Sequence, residues 1–419
     1  MASPLDVGTV TEALKEHYKP LRVQNMVYKD NPLLAMMPKY TKFGGENMPI
    51  PLLYANPQRR SATFANGQAN DSTSALKQFV LTRAKDYSFA SITGESIKAT
   101  ERDSDAFLRY ATMEIDGALN SLTRSLAIAM YRDGGGARGQ ISAEPSTGAN
   151  MELTLKNPED ITNFEVGMIV QVWEGATSGS QRTRDGSNGD FTIDAIDRDA
   201  GTLTFTGEAY DSSGTIEASN AATDEVIIAK GDRGAMLTGL DGWVPSAAVV
   251  TAGIPDLFSV VRTTDVTRLG GNRFDGSALP IEEALIGGAA RVAREGGSPD
   301  VCLVDFATFS NLEKALGSKV VYDEAKARDV DIGFAAISLR GPRGTIKVVP
   351  DQNCQPDVAW MLQLDTWSLN TLGEAPMFLD LDNNRMLRES AADAYEVRLG
   401  YYGNVACNAP GYNCRVALA

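Results

Sequence analysis

Residues 393 to 413 read DAYEVRLGYYGNVACNAPGYN, and the first half of the stretch alternates. Tyr395, Val397, Leu399 and Tyr401 fall on one face of an extended strand, and Glu396, Arg398, Gly400 and Tyr402 fall on the other, because strand side chains repeat every second residue. A strand needs a partner on each edge. A C-terminal strand must therefore return to elements laid down much earlier, and what it returns to decides the fold.

The strongest helical signal lies almost 300 residues upstream. From a capping Asp103, the residues Leu108, Ala111, Ile115, Leu119, Leu122, Leu126 and Met130 recur at steps of three and four, and the run stops at Gly134, Gly135 and Gly136. At 1.5 Å per residue this predicts a spine roughly 40 Å long. Residues 1–43 combine the short helix VTEALKEHYK with Pro20, Pro32 and Pro38 and read as an arm that lies on something else. Residues 44–95 place the extended segments MPIPLLY and FVLTRAKDYSFASI on either side of a polar, turn-forming stretch, the pattern of a long projecting β-hairpin.

Between 150 and 230 the helix signals vanish. FEVGMIVQVWEG, GDFTIDAID, GTLTFTGEA and DEVIIAKG read as short strands, with RDAG (Arg198 to Gly201) as a hairpin turn, so a small β-barrel-like module is expected there. After GLDGWVP the pattern is mixed α/β. Ser277 precedes the helix LPIEEALIGGAARVARE, followed by the strand VCLVD, the helix FATFSNLEKALG and strands in GTIKVVPD and VAWMLQLD.

Composition narrows the function. A chain of 419 residues with 43% hydrophobic content can bury several cores and is expected to form two or three domains. A formal charge of −15, from 39 basic and 54 acidic residues, argues against a surface built to grip a phosphate backbone. No apolar run reaches 18 residues, and MASPLDVGTVTEALKEHYKP lacks the order of a signal peptide, so a soluble, non-secreted protein is expected. Cys302, Cys354, Cys407 and Cys414 are too few for a disulfide scaffold and lie outside zinc spacings. Cys407 and Cys414 are close enough to meet across NAPGYN, but reduced thiols are the expectation.

Catalytic chemistry finds little to work with. The single histidine, His17, stands on the arm, so a histidine-based triad or metal site has no foundation. DLDNN (Asp380 to Asn384) begins like a calcium loop, yet Arg385 occupies its glycine position and Ala391 its closing glutamate position. RDGGGARG (Arg132 to Gly139) follows a helix rather than a strand, so its glycines read as a helix stop and not as a phosphate cradle. Trp173, Trp243, Trp360 and Trp367 are expected in cores. No catalytic, cofactor or metal residue is assigned.

The order of arm, projecting loop, spine helix, inserted module, α/β region and returning strand, with GLDGW, SPDVCLVDFATFSNLEKALG, GTIKVVPD and DAYEVRLGYYGNVACNAPGYNCRVAL, resembles the tailed-bacteriophage major capsid proteins of the Hong Kong 97 type. The resemblance implies an α+β fold with an N-terminal arm (1–43), an extended loop (44–95), a peripheral domain holding the spine (96–149), an inserted β-domain (150–230), an axial domain with peripheral segments (231–392) and a terminal strand returning to the peripheral domain (393–419). It implies self-assembly into hexamers and pentamers of an icosahedral head around double-stranded DNA held as non-specific content, with a portal protein, a decoration protein in some members, and no membrane. The arm is too short and proline-rich to serve as a fused scaffold, which points to a separate scaffolding protein. Some members cross-link through a loop lysine; Lys77 and Lys85 flank the loop, but no motif marks a partner. The alternatives are an encapsulin-like nanocompartment shell and a carbohydrate-binding or hydrolytic enzyme with a β-module.

Two sets of residues follow as candidates. Arg59 and Arg60, paired in NPQRRSATF with no acidic residue nearer than Glu46 and Asp71, are expected to contact a neighbouring subunit. Leu108, Ile115, Leu119, Leu122 and Leu126 are the expected core stripe of the spine. The inserted β-domain is expected on the outer surface.

Overall fold

The computed structural model describes residues 31–419 except 71, 100–103, 143–149, 176–178, 183–188, 207–224, 317–321, 328–329, 380–385, 390–391 and 419. VTEALKEHYK, His17, the Asp103 cap and the DLDNN turn lie outside the described residues.

Ala394–Cys407 is a 14-residue strand at the middle of a six-stranded sheet. Along one edge it pairs antiparallel with Ala84–Thr93, from Ala394 opposite Thr93 to Gly403 opposite Ala84. Along the other it meets Leu387–Arg388, Met377–Phe378 and Trp367–Thr371 in turn, and Trp367–Thr371 takes up Lys39–Tyr40 in parallel. Val397, Leu399 and Tyr401 are buried as the alternation requires, whereas Tyr395, near the strand's start, is 38% exposed. A Cβ at Gly403 would lie 2.6 Å from the Asn370 carbonyl oxygen, so this strand crossing admits no side chain.

The spine is the 26-residue helix Ser104–Ala129, roughly 39 Å long. Its apolar stripe deepens toward the C-terminus. Leu122 and Leu126 are buried in the same core as Phe79, Leu399 and Tyr401, while Leu119 is only partly buried against it. Ile115 is half-buried, and the side chain of Leu108 lies outside the described residues. The helix ends where Gly134 and Gly136 take φ of +93° and +86°, left-handed conformations that favour glycine. GLDGW then completes the end: Gly239 N donates to Arg132 O at 2.9 Å and Leu240 N to Met130 O at 2.8 Å, satisfying carbonyls that a helix terminus leaves orphaned. Trp243, fully buried, donates Nε1–H to Val405 O at 3.0 Å, so the motif ties the spine to the returning strand.

A seven-stranded sheet runs in the order Asn272–Asp275, Cys414–Ala417, Val358–Leu362, Val301–Val304, Gly344–Pro350, Val330–Gly341, Tyr322–Ala327. Period two divides its faces. Val301, Leu303, Val349, Val358, Trp360 and Leu362 join the core of the spine. Cys302, Val304, Val348, Ala359, Met361 and Val416 pack instead with residues of the helices Ile281–Glu295 and Phe306–Leu316. The final segment differs from expectation. The 3-10 turn Pro410–Tyr412 breaks the long strand, and Cys414–Ala417 leaves the six-stranded sheet to enter this one, between Asn272–Asp275 and Val358–Leu362. All four cysteines are buried and free, and Cys407 and Cys414 stand in different sheets.

The inserted module is built from two small sheets. Asn150–Thr154, Thr202–Thr206 and Ala195–Asp197 form one. Ala137–Gln140, Val226–Ala229, Ile169–Trp173 and Asp190–Thr192 form the other, so the second sheet recruits residues that precede position 150. Their inner faces share a core of Leu153, Phe164, Val170, Val172, Phe191, Leu203, Phe205 and Ile227. The RDAG turn closes with the Asp197 carboxylate accepting from the Asp199 and Ala200 amides and Gly201 at φ +66°. Ion pairs fasten the module to the end of the spine, Arg124 to Glu165 and Arg132 to Asp160 at 2.8 Å, while Arg138 of the second sheet pairs with Asp232, just beyond its strand Val226–Ala229, at 3.2 Å.

Candidate assembly surface

The projecting hairpin pairs Met48–Ala55 with Ala75–Leu81. Proline cannot donate to a ladder, so Pro49 and Pro51 fit an edge strand with their nitrogens turned outward, which blunts that edge against further strand pairing. Burial falls along its length. Ile50, Phe79 and Leu81 at the base are buried, whereas the directly paired Leu53 and Leu76 are 50% and 64% exposed.

The base rests in a preformed cradle. Phe79 meets Trp243 edge-on at 4.9 Å between centroids, and Phe258 packs on the same indole at 5.6 Å. Phe258 and Ser259 adopt φ of +44° and +66°, in a turn closed by mutual backbone bonds of Leu257 and Val260, and Phe258 O accepts from Val80 N at 3.0 Å. Non-glycine residues hold such backbone only where surrounding contacts dictate it. Arg262, 1% exposed, supplies those contacts by donating to the carbonyls of Pro255, Gly242 and Trp243. Burial pushes its guanidinium down to about 10. Lys77 donates to Val261 O and Thr264 Oγ1, and Arg268 to Tyr54 O. These bonds fix the direction in which the hairpin leaves the body.

The tip is different. Its helix Phe64–Ala69 has no buried residue, and Phe64 is 87% exposed. Arg59 and Arg60 are both exposed; Arg59 Nε donates to Ser72 O at 3.3 Å, and Arg60 O accepts from Asn70 Nδ2 at 3.3 Å. Polar bonds thus shape the tip while its one large ring stays uncovered. On the strand that follows, Tyr87 and Phe89 are 44% and 58% exposed beside the exposed Lys85.

A buried carboxylate anchors the N-terminal segment. Asp351, 1% exposed, accepts at Oδ2 from Tyr131 Oη (2.7 Å) and Leu33 N (3.3 Å), and at Oδ1 from Asn353 N (2.9 Å). Asn353 in turn donates to Asn31 Oδ1 at 3.0 Å. Burial pushes the Asp351 carboxyl up against the opposing pull of these donors, and it pushes the Tyr131 hydroxyl well up. Leu33, Met36 and Met37 are inserted in the core beside this network.

The structure keeps the two sets of sequence candidates apart. Arg59 and Arg60 stand together on the tip, while Leu122 and Leu126 lie in the core, with Ile115 and Leu119 less deeply placed. Sequence reasoning passed over Phe64, Tyr87, Phe89 and the Phe258–Arg262 cradle; the lone aromatic ring in SATFANGQAN was the available signal. Among the described residues, no three His, Cys, Asp or Glu side chains converge on a metal site, and no helix is long and apolar enough to cross a membrane.

Residues 231–385, which include most of the seven-stranded sheet, match the family model of the SU10 major capsid protein. No curated protein matches the sequence. Among solved structures, the chain is similar to one described as the cyanophage A-1(L) capsid asymmetric unit, at 11% identity over 98% of this chain and 95% of that one, with a TM-score of 0.51. It is also similar to a chain from Mycobacterium phage Adephagia, at 12% identity over 100% and 99% of the two chains and a TM-score of 0.45. A third similar chain is the SrpI encapsulin of Synechococcus elongatus, at 7% identity over 99% and 95% and a TM-score of 0.47. The fold is therefore of the Hong Kong 97 capsid type. The match to the SU10 major capsid protein model is confined to the α/β region of this fold.

Proposed function

We propose that copies of this chain assemble as hexamers and pentamers into the icosahedral head shell of a tailed phage, and that the hairpin tip binds a neighbouring subunit. One observation carries the reading: a rigid cradle aims a hairpin whose tip buries nothing in its own chain. Ordering a segment costs conformational entropy, and an uncovered phenyl ring recovers none of it unless something else covers the ring. Repetition through a closed lattice turns modest contacts into a durable container.

The role is structural, and the acidic chain suits a wall that confines packaged DNA without gripping it. A separate scaffolding protein sets curvature, a portal protein occupies one vertex, and the β-module lies on the outer face. Lys77 is engaged at the cradle, which leaves Lys85 as the exposed flanking lysine. Expression with the scaffolding protein, followed by sedimentation and electron microscopy, tests the reading; closed shells are expected, and a persistently monomeric product excludes it. A cargo enzyme inside purified particles, with no portal vertex, would indicate a nanocompartment instead.

A further inference from the structure

Where the spine, the β-module and the strand leaving the hairpin meet, two carboxylates on separate elements face one guanidinium. Asp86 lies on Ala84–Thr93, Ser125 on the spine, Arg138 on the module's strand Ala137–Gln140 and Asp232 just beyond its strand Val226–Ala229. Arg138 Nη2 reaches Asp232 Oδ2 at 3.2 Å and donates to Ser125 Oγ at 3.4 Å. Ser125 Oγ in turn donates to Asp86 Oδ2 at 2.7 Å, and Asp86 Oδ1 accepts from the Tyr87 amide at 2.9 Å. The side chains of Arg138 and Asp232 are mostly buried. The Arg138 backbone is held in place, because its carbonyl accepts from Asn163 Nδ2 at 2.9 Å.

The neighbouring charges are matched elsewhere. Arg124 pairs with Glu165, which Arg198 joins from the exposed side, and Arg132 pairs with Asp160. Tyr401 stands directly opposite Asp86 in the strand ladder, so both side chains leave the same face of the sheet. Its buried hydroxyl has no hydrogen-bond partner among the described residues. Burial, with the charges of Asp86 and Asp232, pushes that hydroxyl well up, so it stays neutral. Among the described residues, Arg138 is the one cation acting on both aspartates, and the joint carries a surplus negative charge. Removing such a charge from water without a counter-ion is costly. Burial accordingly pushes the Asp86 carboxyl up against the pull of Ser125, Arg138 and the Tyr87 amide. It pushes the Asp232 carboxyl up as well, with Arg138 opposing and Asp86 adding to the rise.

We propose that this joint is gated by a proton: ionised together, Asp86 and Asp232 compete for Arg138 and seat the module loosely, and one proton on either of them fastens the module to the spine and the hairpin strand. Both carboxyls bind a proton more tightly in the folded chain than in the unfolded one. The gain in stability is therefore complete below the ordinary aspartate pKa of about 3.9 and is lost as pH rises through the higher folded values. Acidification tightens the joint.

The test compares the full-length, unassembled subunit with Asp86→Asn and Arg138→Gln. Thermal midpoints are followed from pH 7.5 to pH 4.5, together with amide exchange over residues 137–140 and 226–229. Asp86→Asn keeps an oxygen for the Tyr87 amide, turns an N–H toward Ser125 Oγ and leaves Arg138 to Asp232. It is expected to melt roughly 1–3 °C higher than wild type at pH 7.5 and to exchange more slowly in those strands, with the gap narrowing on acidification. Arg138→Gln leaves both carboxylates without a cation. It is expected to melt roughly 2–5 °C lower at pH 7.5, and that gap also narrows as protons replace the lost charge. Equal or lower stability of Asp86→Asn at pH 7.5 overturns the proposal, a result that stands by itself if Arg138→Gln fails to fold. So does an offset of either variant that stays constant across the pH range, because the residues would then serve packing alone.

Discussion

The terminal strand and the projecting hairpin are both antiparallel β structure, yet their own chain completes only one of them. Ala394–Cys407 has partners along both edges and a buried face against the spine. The hairpin has a buried base and then runs outward until Leu53, Leu76 and Phe64 stand open. The first region holds the subunit together, and the second leaves apolar side chains that its own chain does not cover. Substitutions in the two should separate folding from assembly.

The largest effect on folding is expected at the spine's buried end. Leu126→Ala removes a fully buried side chain and should cost about 2–5 kcal/mol, giving insoluble coat protein. Denaturant unfolding of whatever remains soluble measures the loss. Asp351→Ala orphans Tyr131 Oη and the Leu33 and Asn353 amides, and a cost of about 2–4 kcal/mol is expected from the buried donors left unpaired. Limited proteolysis should then cut near residues 31–37 before the rest of the chain; cutting at the wild-type rate would mean the anchor is not needed. Leu119→Ala sharpens the comparison along one helix. Being only partly buried, Leu119 should contribute about 1 kcal/mol, well under Leu126, and equal losses would show that the stripe does not deepen toward its C-terminus.

Much of this contrast was legible in the sequence. The alternation over DAYEVRLGYY gave a strand with one buried face, and the three-and-four spacing from Leu108 to Met130 gave the spine, because each pattern reflects a periodicity of its own backbone. Depth along the stripe was not legible, since it depends on where the six-stranded sheet ends. Tyr322–Ala327, with its sequence YDEAKA, carries no alternation and is a strand only through pairing with Val330–Gly341. The departure of Cys414–Ala417 into the other sheet was hidden for a similar reason: four residues after a turn fit either sheet, and packing decided between them. The segment FVLTRAKDYSFASI read as one strand but is two, because Ala75–Leu81 pairs within the hairpin and Ala84–Thr93 pairs with the terminal strand. The tip arginines were readable as a pair; the cradle was not, because Phe79, Trp243, Phe258 and Arg262 come together only in three dimensions.

The smallest effect on the subunit belongs to Arg59→Glu with Arg60→Glu, both exposed, for which a change within about 0.5 kcal/mol is expected. The same double change decides the central claim, that the hairpin tip is completed by a neighbouring subunit. Wild type and double variant should be expressed, together with any scaffolding protein, and their particles counted by sedimentation and negative-stain electron microscopy at ordinary salt. The account predicts closed shells from wild type and, from an equally stable variant, free subunits or aberrant particles, because reversed charge recurs at every equivalent contact. Normal yields of normal-sized shells from the variant would contradict it.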